Sequence, residues 1–401
     1  MALSESRLDR GGSAALALDN IRVIDFSRLL PGPWCSQMLG DLGADVIKIE
    51  QPGTGDYSRY NPPNYKTSGV YFSSVNRNKR SVALDLTLPQ DRADAYRLIA
   101  CADVVVESYR PGVTQRLGLG YDSLRALNPS IIYCSVTGFR SDGALAKLPG
   151  HDLSIQGMAG AMAKNLAAGE VPANPRFQGG DFAAAAFSAI GVLGAIIRRM
   201  RTGQGAFLEV PLYDSVMSWS AVALSGALAR QAGLAGTPEI EVWGSNPRYA
   251  VYRTRDGKAV TVSLLEGRTW NAFCRLIGRD DLATNEDLAA RVSNHGEQAA
   301  LYRSVLGQLC AAHDRDHLTS WMMREGIPIC PIYDPDEALA AMKAGGRDVI
   351  GTVHSATDGP IPVVLDPLAR AGLADPLRRA PPALGEHTLE IRNSLCENDV
   401  A

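Results

Sequence analysis

The sequence lacks the motifs that identify several large enzyme classes. It contains no GxxxxGK(S/T) loop and no GxGxxG fingerprint, because LGLGYD (117–122) has its glycines at the wrong spacing and precedes no long helix. It also lacks HExxH, paired-cysteine spacing and the GxSxG elbow of α/β hydrolases. We therefore expect no metal site and a ligand other than NAD or ATP.

Cysteine, net charge and long apolar runs are also scarce. The 7 cysteines show no C-x-x-C spacing, which is typical of reduced thiols in a cytoplasmic protein. A formal net charge of -3 argues against nucleic acid or an anionic membrane as the main partner. The longest apolar run, residues 183–197, is shorter than the roughly 20 residues that span a bilayer, so we expect a buried helix there.

The first half of the sequence alternates apolar strand patterns with helical patterns. Strands are predicted at 21–26, 44–50, 80–86, 102–108 and 130–139, with a long helix over 181–201. This alternation predicts an α/β fold, a large doubly wound domain with a mainly parallel sheet that binds ligands beyond the carboxyl ends of its strands. Asp256-Gly257 between β-rich runs predicts a hairpin in a smaller α/β domain.

The predicted organisation has five parts. We expect a disordered tail over 1–19 rather than a signal peptide, a large domain over 20–220 and a linker over 221–245. A small domain follows over 246–330, and residues 331–401 return to the large domain.

The stretch LPGHDLSIQGMAG places His151 and Asp152 at a predicted helix start. Asp152 is most simply a helix cap or first-turn acid, and a histidine after Pro-Gly is usually a surface turn residue. Asp181 after Gly-Gly is also explained by capping, and Glu266 by a solvated strand end. These structural explanations stand beside the catalytic ones below.

Several segments together resemble the family III CoA-transferases, a superfamily that includes the α-methylacyl-CoA racemases. They include IRVIDFSRLLPGPWCSQMLGDLGADVIKIEQPGTGDYSR, NRNKRSVALDL, ADVVVESYRPGVTQRLGLGYDSL, GHD and GIPICPIYDPDEAL, in the family's order over about residues 20 to 390. The resemblance implies a large CoA-binding domain formed from both chain ends. It also implies ring-shaped subunits in an interlocked homodimer, and acyl-CoA thioesters as substrates with no other cofactor.

The resemblance assigns candidate catalytic residues by motif. In the racemases, the GHD histidine and the aspartate of G-D-F are paired acid/base residues, here His151 and Asp181, and Glu266 corresponds to the glutamate that orients the histidine. In the transferases, the residue equivalent to Asp181 is the nucleophile, and an aromatic residue usually replaces the histidine. Asp152 completes the catalytic set.

The chemistry of racemisation suits these residues. Removing a thioester α-proton requires a positioned base, and a second acid on the opposite face inverts the carbon. Backbone N–H groups at the helix starts near His151 and Asp181 are expected to stabilise the developing oxyanion. Two departures from the family patterns matter: Gln156 is transferase-like, and Gln51 replaces an arginine that commonly holds the CoA nucleotide.

The resemblance also assigns CoA contacts to two segments, ESYRPGVTQR and NRNKR. Arginine suits phosphate because its guanidinium donates bidentate hydrogen bonds. NRNKR is equally explained as a solvated turn before a strand. The expected CoA-binding residues are Asn78, Lys79, Arg80, Ser108, Tyr109, Arg110 and Arg116.

The sequence thus favours a racemase or epimerase of 2-methyl-branched acyl-CoA thioesters, in fatty acid metabolism. The alternative is a family III CoA-transferase that moves CoA between carboxylic acids through an aspartyl acyl-enzyme intermediate. A non-catalytic CoA-ester binding protein is the third interpretation, and the filled positions 151, 181 and 266 argue against it. The segments expected to form the pocket walls contain no motif that identifies the acyl group.

Overall fold

The computed structural model describes residues 15–162, 173–234, 246–284, 295–347 and 349–398. The chain divides into two compact units. Unit 1 comprises Met1–Ala159, Pro175–Ser218 and Asp348–Ala401, and unit 2 comprises Gly160–Asn174 and Trp219–Arg347. The second unit therefore continues to Arg347 rather than 330. The predicted linker contains a helix over its first half, while 235–245 lie outside the described residues. Of the predicted tail, 15–19 are described and Leu18 is buried.

Unit 1 is built on one parallel sheet, which confirms the predicted α/β class. The strands are β1 Arg22–Asp25, β2 Asp45–Glu50, β3 Lys79–Ala83, β4 Val104–Glu107, β5 Ile132–Thr137 and β6 Ala206–Pro211. Their order in the sheet is β3-β2-β1-β4-β5-β6, the doubly wound arrangement in which successive strands are added on one side of β1 and then, from β4 onward, on the other.

Helices cover both faces of this sheet, as its apolar strands require. Val104, Ile132 and Cys134 belong to one buried cluster, and their neighbours Val105 and Tyr133 to the other. The helices in this part are α1 Pro31–Asp41, α2 Val70–Ser74, α3 Pro89–Ala100, α4 Val113–Arg116, α5 Tyr121–Leu127, α6 Asp152–Met158, α7 Gly179–Thr202 and α8 Leu212–Trp219.

Helix α7 is the long apolar helix predicted over 181–201. By length and composition its 24 residues could cross a membrane. The shortness of the apolar run 183–197 therefore does not exclude a membrane span. Packing decides instead, because Ala184, Val192 and Ile196 are buried in the sheet core with β5 and β6. It is a core helix, as expected. Gly203, in the left-handed conformation, ends it.

Unit 2 contains an antiparallel sheet of order β7-β8-β9. The predicted hairpin at Asp256-Gly257 is confirmed, since β7 and β8 pair across it and Gly257 has a φ of 76°. Trp270 and Phe273 are buried in this unit's core. Its elements are α9 Ala221–Gln231, β7 Tyr249–Arg253, β8 Ala259–Ser263, α10 Gly267–Leu276, α11 Gln298–Ala312, α12 Arg315–Arg324, β9 Ile329–Pro331 and α13 Pro335–Ala344.

The C-terminal segment rejoins unit 1. It consists of the antiparallel pair β10 Ile350–Ser355 and β11 Gly359–Val364, then α14 Pro367–Arg370 and α15 Thr388–Asn398. His387 N–H donates to the Ser81 carbonyl at 2.9 Å, and the Ser81 N–H donates to His387 Nδ1 at 3.2 Å. His387 therefore fastens the segment to β3.

Candidate active site

The crevice at the carboxyl ends of β1 and β4 is the natural ligand site of this sheet, because the strand order reverses there. Ser27 and Arg28 follow β1, and Ser108 and Tyr109 follow β4. Ser108 Oγ accepts a hydrogen bond from the Arg28 N–H at 2.9 Å, which ties the two loops together. Two of the predicted CoA-binding residues, Ser108 and Tyr109, thus lie at the switch point.

Arg28 is a candidate that the sequence analysis did not single out. Its guanidinium carbon lies 5.1 Å from the ring centre of Tyr109 and 5.5 Å from that of Tyr57. These contacts hold a half-buried cation at the mouth of the crevice. The available signal was its place directly after the first strand, in DFSRLLPG.

A buried charge network supports the loop that carries Arg28. Lys48 is fully buried and pairs with Asp56 at 3.1 Å, while its Nζ donates to the Ser27 carbonyl at 2.7 Å. Asp56 in turn accepts the N–H of Leu29, which has a φ of 66°. Because Leu29 is in the left-handed region, which disfavours residues with a Cβ, these bonds help fix the turn.

The NRNKR segment is engaged within the protein. Asn78 donates to Asp41 and accepts the Arg379 N–H, and Arg80 binds Asp45 and Glu390. Lys79 is fully buried and pairs with Asp25 at 3.0 Å. Burial lowers the Lys79 pKa to about 8, although Asp25 opposes the shift. The expected CoA contacts of these three residues stay predictions, and each has a structural role here.

Arg110 and Arg116 have exposed side chains in the segment after β4. Arg116 ends α4, whose N-cap Gly112 has a φ of 85°. A Cβ at Gly112 would lie 3.4 Å from Arg116 Nη1, so the guanidinium folds back toward its own helix start. Both arginines are therefore accessible from solvent, and their contacts with CoA stay predictions.

Asp181 lies in the first turn of α7, after Gly179 and Gly180. A Cβ at Gly180 would lie 2.9 Å from Asp152 Oδ1, so glycine permits the close packing of α6 on α7. Asp152 Oδ1 accepts hydrogen bonds from the N–H of Gly180 at 2.6 Å and of Asp181 at 3.2 Å. Asp152 therefore caps a second helix while lying in the first turn of its own.

Gln156 completes this junction. Its Nε2 donates to Asp152 Oδ2 at 2.6 Å and to the Phe177 carbonyl at 3.1 Å, and the side chain is buried. The transferase-like residue of the sequence thus holds Asp152 in place. Asp152 and Gln156 together fix where Asp181 lies.

The free amides expected at the start of α7 are a wrong prediction. Besides Gly180 and Asp181, the Gly179 N–H donates to the Phe177 carbonyl and the Phe182 N–H to the Gln178 carbonyl. All four amides of the first turn therefore have protein acceptors. A substrate oxyanion has no donor there.

The Asp181 carboxyl has an altered acidity. Burial raises its pKa to about 7, and the charge of Asp152 adds to the shift. Burial also raises the pKa of Tyr71 to about 12, with contributions from Asp181, Asp56 and Asp152. At neutral pH the Tyr71 hydroxyl therefore stays protonated near these carboxylates and can donate a hydrogen bond. No sequence motif identified this residue.

The remaining predicted residues are placed as follows. His151 is the N-cap of α6, with an exposed side chain that makes no hydrogen bond to the described residues. Glu266 belongs to unit 2, where it is the exposed N-cap of α10. The buried Arg248 donates to the Leu265 carbonyl at 2.9 Å and so fixes the turn that carries Glu266. The structure brings Asp152, Gln156 and Asp181 together within unit 1.

Comparisons with known proteins identify the family of this chain. Residues 18–388 match the model of CoA-transferase family III. Succinate–glutarate CoA-transferase of Agrobacterium fabrum is 32% identical over 390 residues, covering 93% of this chain and 94% of that protein. Succinyl-CoA:mesaconate CoA-transferase of Haloarcula marismortui is 31% identical, covering 94% and 95%. A CaiB/BaiF family protein from Brucella suis superposes with a TM-score of 0.80 at 30% identity, covering 95% of this chain and 100% of that one.

Proposed function

Because this chain belongs to CoA-transferase family III, we propose that it transfers CoA from an acyl-CoA thioester to a carboxylic acid through Asp181. The sequence motifs alone favoured a racemase, with this activity as the alternative. The relatives are named CoA-transferases, which supports the second. The observation that carries the proposal is the Asp181 carboxyl, held at a glycine-flanked helix start by Asp152 and Gln156.

The proposed reaction has four steps. The Asp181 carboxylate attacks the thioester carbonyl, forming a mixed anhydride and releasing CoA thiolate. The thiolate attacks the Asp181 carbonyl, which forms an aspartyl-CoA thioester and releases the first acid as its carboxylate. The second acid's carboxylate attacks this thioester, which gives a new anhydride and releases CoA thiolate again. The thiolate then attacks the acyl carbonyl of that anhydride, which forms the product acyl-CoA and releases the Asp181 carboxylate.

The surroundings of Asp181 suit a carboxylate that acts first as the nucleophile and in the last step as the leaving group. A pKa of about 7 makes the carboxylate more basic than an ordinary aspartate, yet much of it is ionised at neutral pH. Protonated Tyr71 is a candidate donor to the oxyanion of the tetrahedral intermediates. Arg28, Arg110 and Arg116 are candidates for the phosphates of CoA.

The substrates that we propose are dicarboxylic acids. This proposal is supported by the names of the relatives, which refer to succinate or succinyl-CoA, glutarate and mesaconate. We also propose that the enzyme acts as a homodimer. The apolar side chains of Ile190, Ile197 and Met200 on α7 support this, being 63%, 53% and 81% exposed. Sedimentation velocity tests the dimer, and a monomer at all concentrations contradicts it.

The decisive experiment combines trapping with isotope exchange. The protein is incubated with succinyl-CoA in deuterated water, and hydroxylamine is added in a parallel sample. Transfer predicts a hydroxamate at Asp181 by peptide mass spectrometry, CoA transfer to added glutarate, and no deuterium at the α-carbon. Deuterium at the α-carbon without a trapped adduct would instead establish the racemase. The variant Asp142→Asn, an exposed aspartate in a surface pair, is the matched control for trapping.

A further inference from the structure

Polar residues form a row across three strands of the parallel sheet. Glu107 of β4 is in register with Ser135 of β5, and Ser135 is in register with Glu209 of β6. Thr137 lies two residues after Ser135 and shares its face. Buried parallel strands are normally apolar on both faces, so the buried Glu107 and Ser135 are exceptions that call for a partner. Glu209 is half-buried on the edge strand β6.

The row faces a cavity of about 600 Å³. Tyr121, Tyr133 and Phe207 form its aromatic wall, with the Tyr121 and Phe207 ring centres 5.2 Å apart. The volume is in the range of small-molecule sites. Asp181, Asp152 and Gln156 do not line this cavity, although Tyr109 and Arg110 do.

The cavity contains a buried polar group without a protein partner. Thr137 is 7% exposed, and its Oγ1 makes no hydrogen bond within the part of the chain that the structure describes. A buried hydroxyl without a partner is unfavourable, so its presence in a cavity wall points to a polar ligand.

The ionisable groups of the wall favour a positive ligand. Three acids, Glu107, Asp122 and Glu209, line the cavity together with one base, Arg110. Asp122 and Arg110 are both exposed, which leaves Glu107 and Glu209 as the carboxylates of the inner wall. Glu107 is only 4% exposed. Burial raises its pKa, and the charge of Glu209 adds to the shift. A cation between these carboxylates would relieve their repulsion.

We propose that this cavity binds a small organic cation, with an ammonium or guanidinium group between Glu107 and Glu209. Two strand spacings place the Cα atoms of these glutamates about 10 Å apart, which leaves room for such a group between the carboxylates. The aromatic wall adds a cation–π attraction. The hydroxyls of Ser135 and Thr137 supply hydrogen-bond acceptors.

The test uses agmatine, which carries both cation types, and isothermal titration calorimetry on the full chain. Binding of one agmatine per chain is expected. Glu209→Gln should weaken it at least tenfold, because one of the two carboxylates loses its charge. Thr137→Val should weaken it by roughly threefold without lowering the melting temperature, since the hydroxyl has no protein partner to lose. Glu297→Gln, an exposed glutamate of unit 2, removes the same charge elsewhere and should change nothing.

Three results would overturn the proposal. One is no heat of binding with the wild-type chain. Another is equal weakening by Glu209→Gln and Glu297→Gln, which would reflect net charge alone. The third is absence of agmatine binding together with weaker self-association of Glu209→Gln in sedimentation, since the cavity would then hold a basic side chain of a second copy. If Glu209→Gln fails to fold, Thr137→Val decides, and unchanged agmatine affinity in that variant counts against the site.

Discussion

Asp152 Oδ1 accepts the backbone N–H of Asp181 at 3.2 Å, so one carboxylate caps the helix that carries the other. Burial first, and then the charge of Asp152, raise the Asp181 pKa to about 7. Asp152 therefore fixes the position of the proposed nucleophile and also contributes to its raised pKa.

Asp181→Asn should reduce CoA transfer below about 1% of wild type. The amide has nearly the same shape but cannot form the anhydride, and chemical groups of this kind contribute about 10²–10⁴-fold or more. Transfer from succinyl-CoA to glutarate is measured, with circular dichroism to verify folding. Asp142→Asn should keep full activity. Turnover of Asp181→Asn well above 1% would remove Asp181 from the mechanism.

Asp152→Asn should move the pH dependence of transfer to lower pH. In the wild type, kcat/KM should rise as the pH approaches 7, because the Asp181 carboxylate is the reacting form, and level off above it. Asparagine keeps an oxygen for the Gly180 and Asp181 N–H groups but removes the charge that adds to the shift. The rise should then end at a lower pH. An unmoved or higher midpoint would show that Asp152 does not act through its charge.

His151→Ala should retain most of the transfer activity, with a loss of less than about tenfold. Its side chain is exposed and makes no hydrogen bond to the described residues, so neither the fold nor the nucleophile depends on it. An acid/base residue would contribute about 10²–10⁴-fold. Both kcat and α-proton exchange are measured. A loss above a hundredfold in transfer would give His151 a chemical role.

Arg116→Ala should raise the KM for acyl-CoA about tenfold and leave kcat within about twofold. A charged hydrogen bond to phosphate contributes about 1.5–3 kcal/mol, and 1.4 kcal/mol corresponds to tenfold. Arg125→Ala, an exposed arginine on α5, is the control and should change neither constant. A collapsed kcat with unchanged KM would assign Arg116 another role.

Lys48→Met should lower the free energy of unfolding by about 3–5 kcal/mol. It leaves the buried carboxylates of Asp25 and Asp56 with less compensation, and uncompensated buried charge is strongly destabilising. Urea unfolding measures the change. Arg140→Met breaks an exposed pair with Asp142 and should cost less than about 1 kcal/mol. Similar effects of the two substitutions would contradict the role of burial.

The sequence by itself determined the sheet and its long helix. Alternation of apolar strands with helical patterns is a local property, and it gave the parallel class, α7 within two residues at its start and one at its end, and the hairpin at Asp256-Gly257. The motif at His151 and the Gly-Gly-Asp segment also marked the two helix starts that meet at the candidate site.

Only the tertiary structure decided what these residues touch. That Asp152 occupies the amides of Gly180 and Asp181, that Lys79 is buried against Asp25, and that Glu107, Ser135 and Glu209 align across three strands all depend on contacts between distant segments. The periodicity of apolar residues predicts which face of a helix or strand a side chain occupies. It does not predict which residue the side chain contacts on that face, because burial and charge pairing arise only when the strands are in register and the helices are packed.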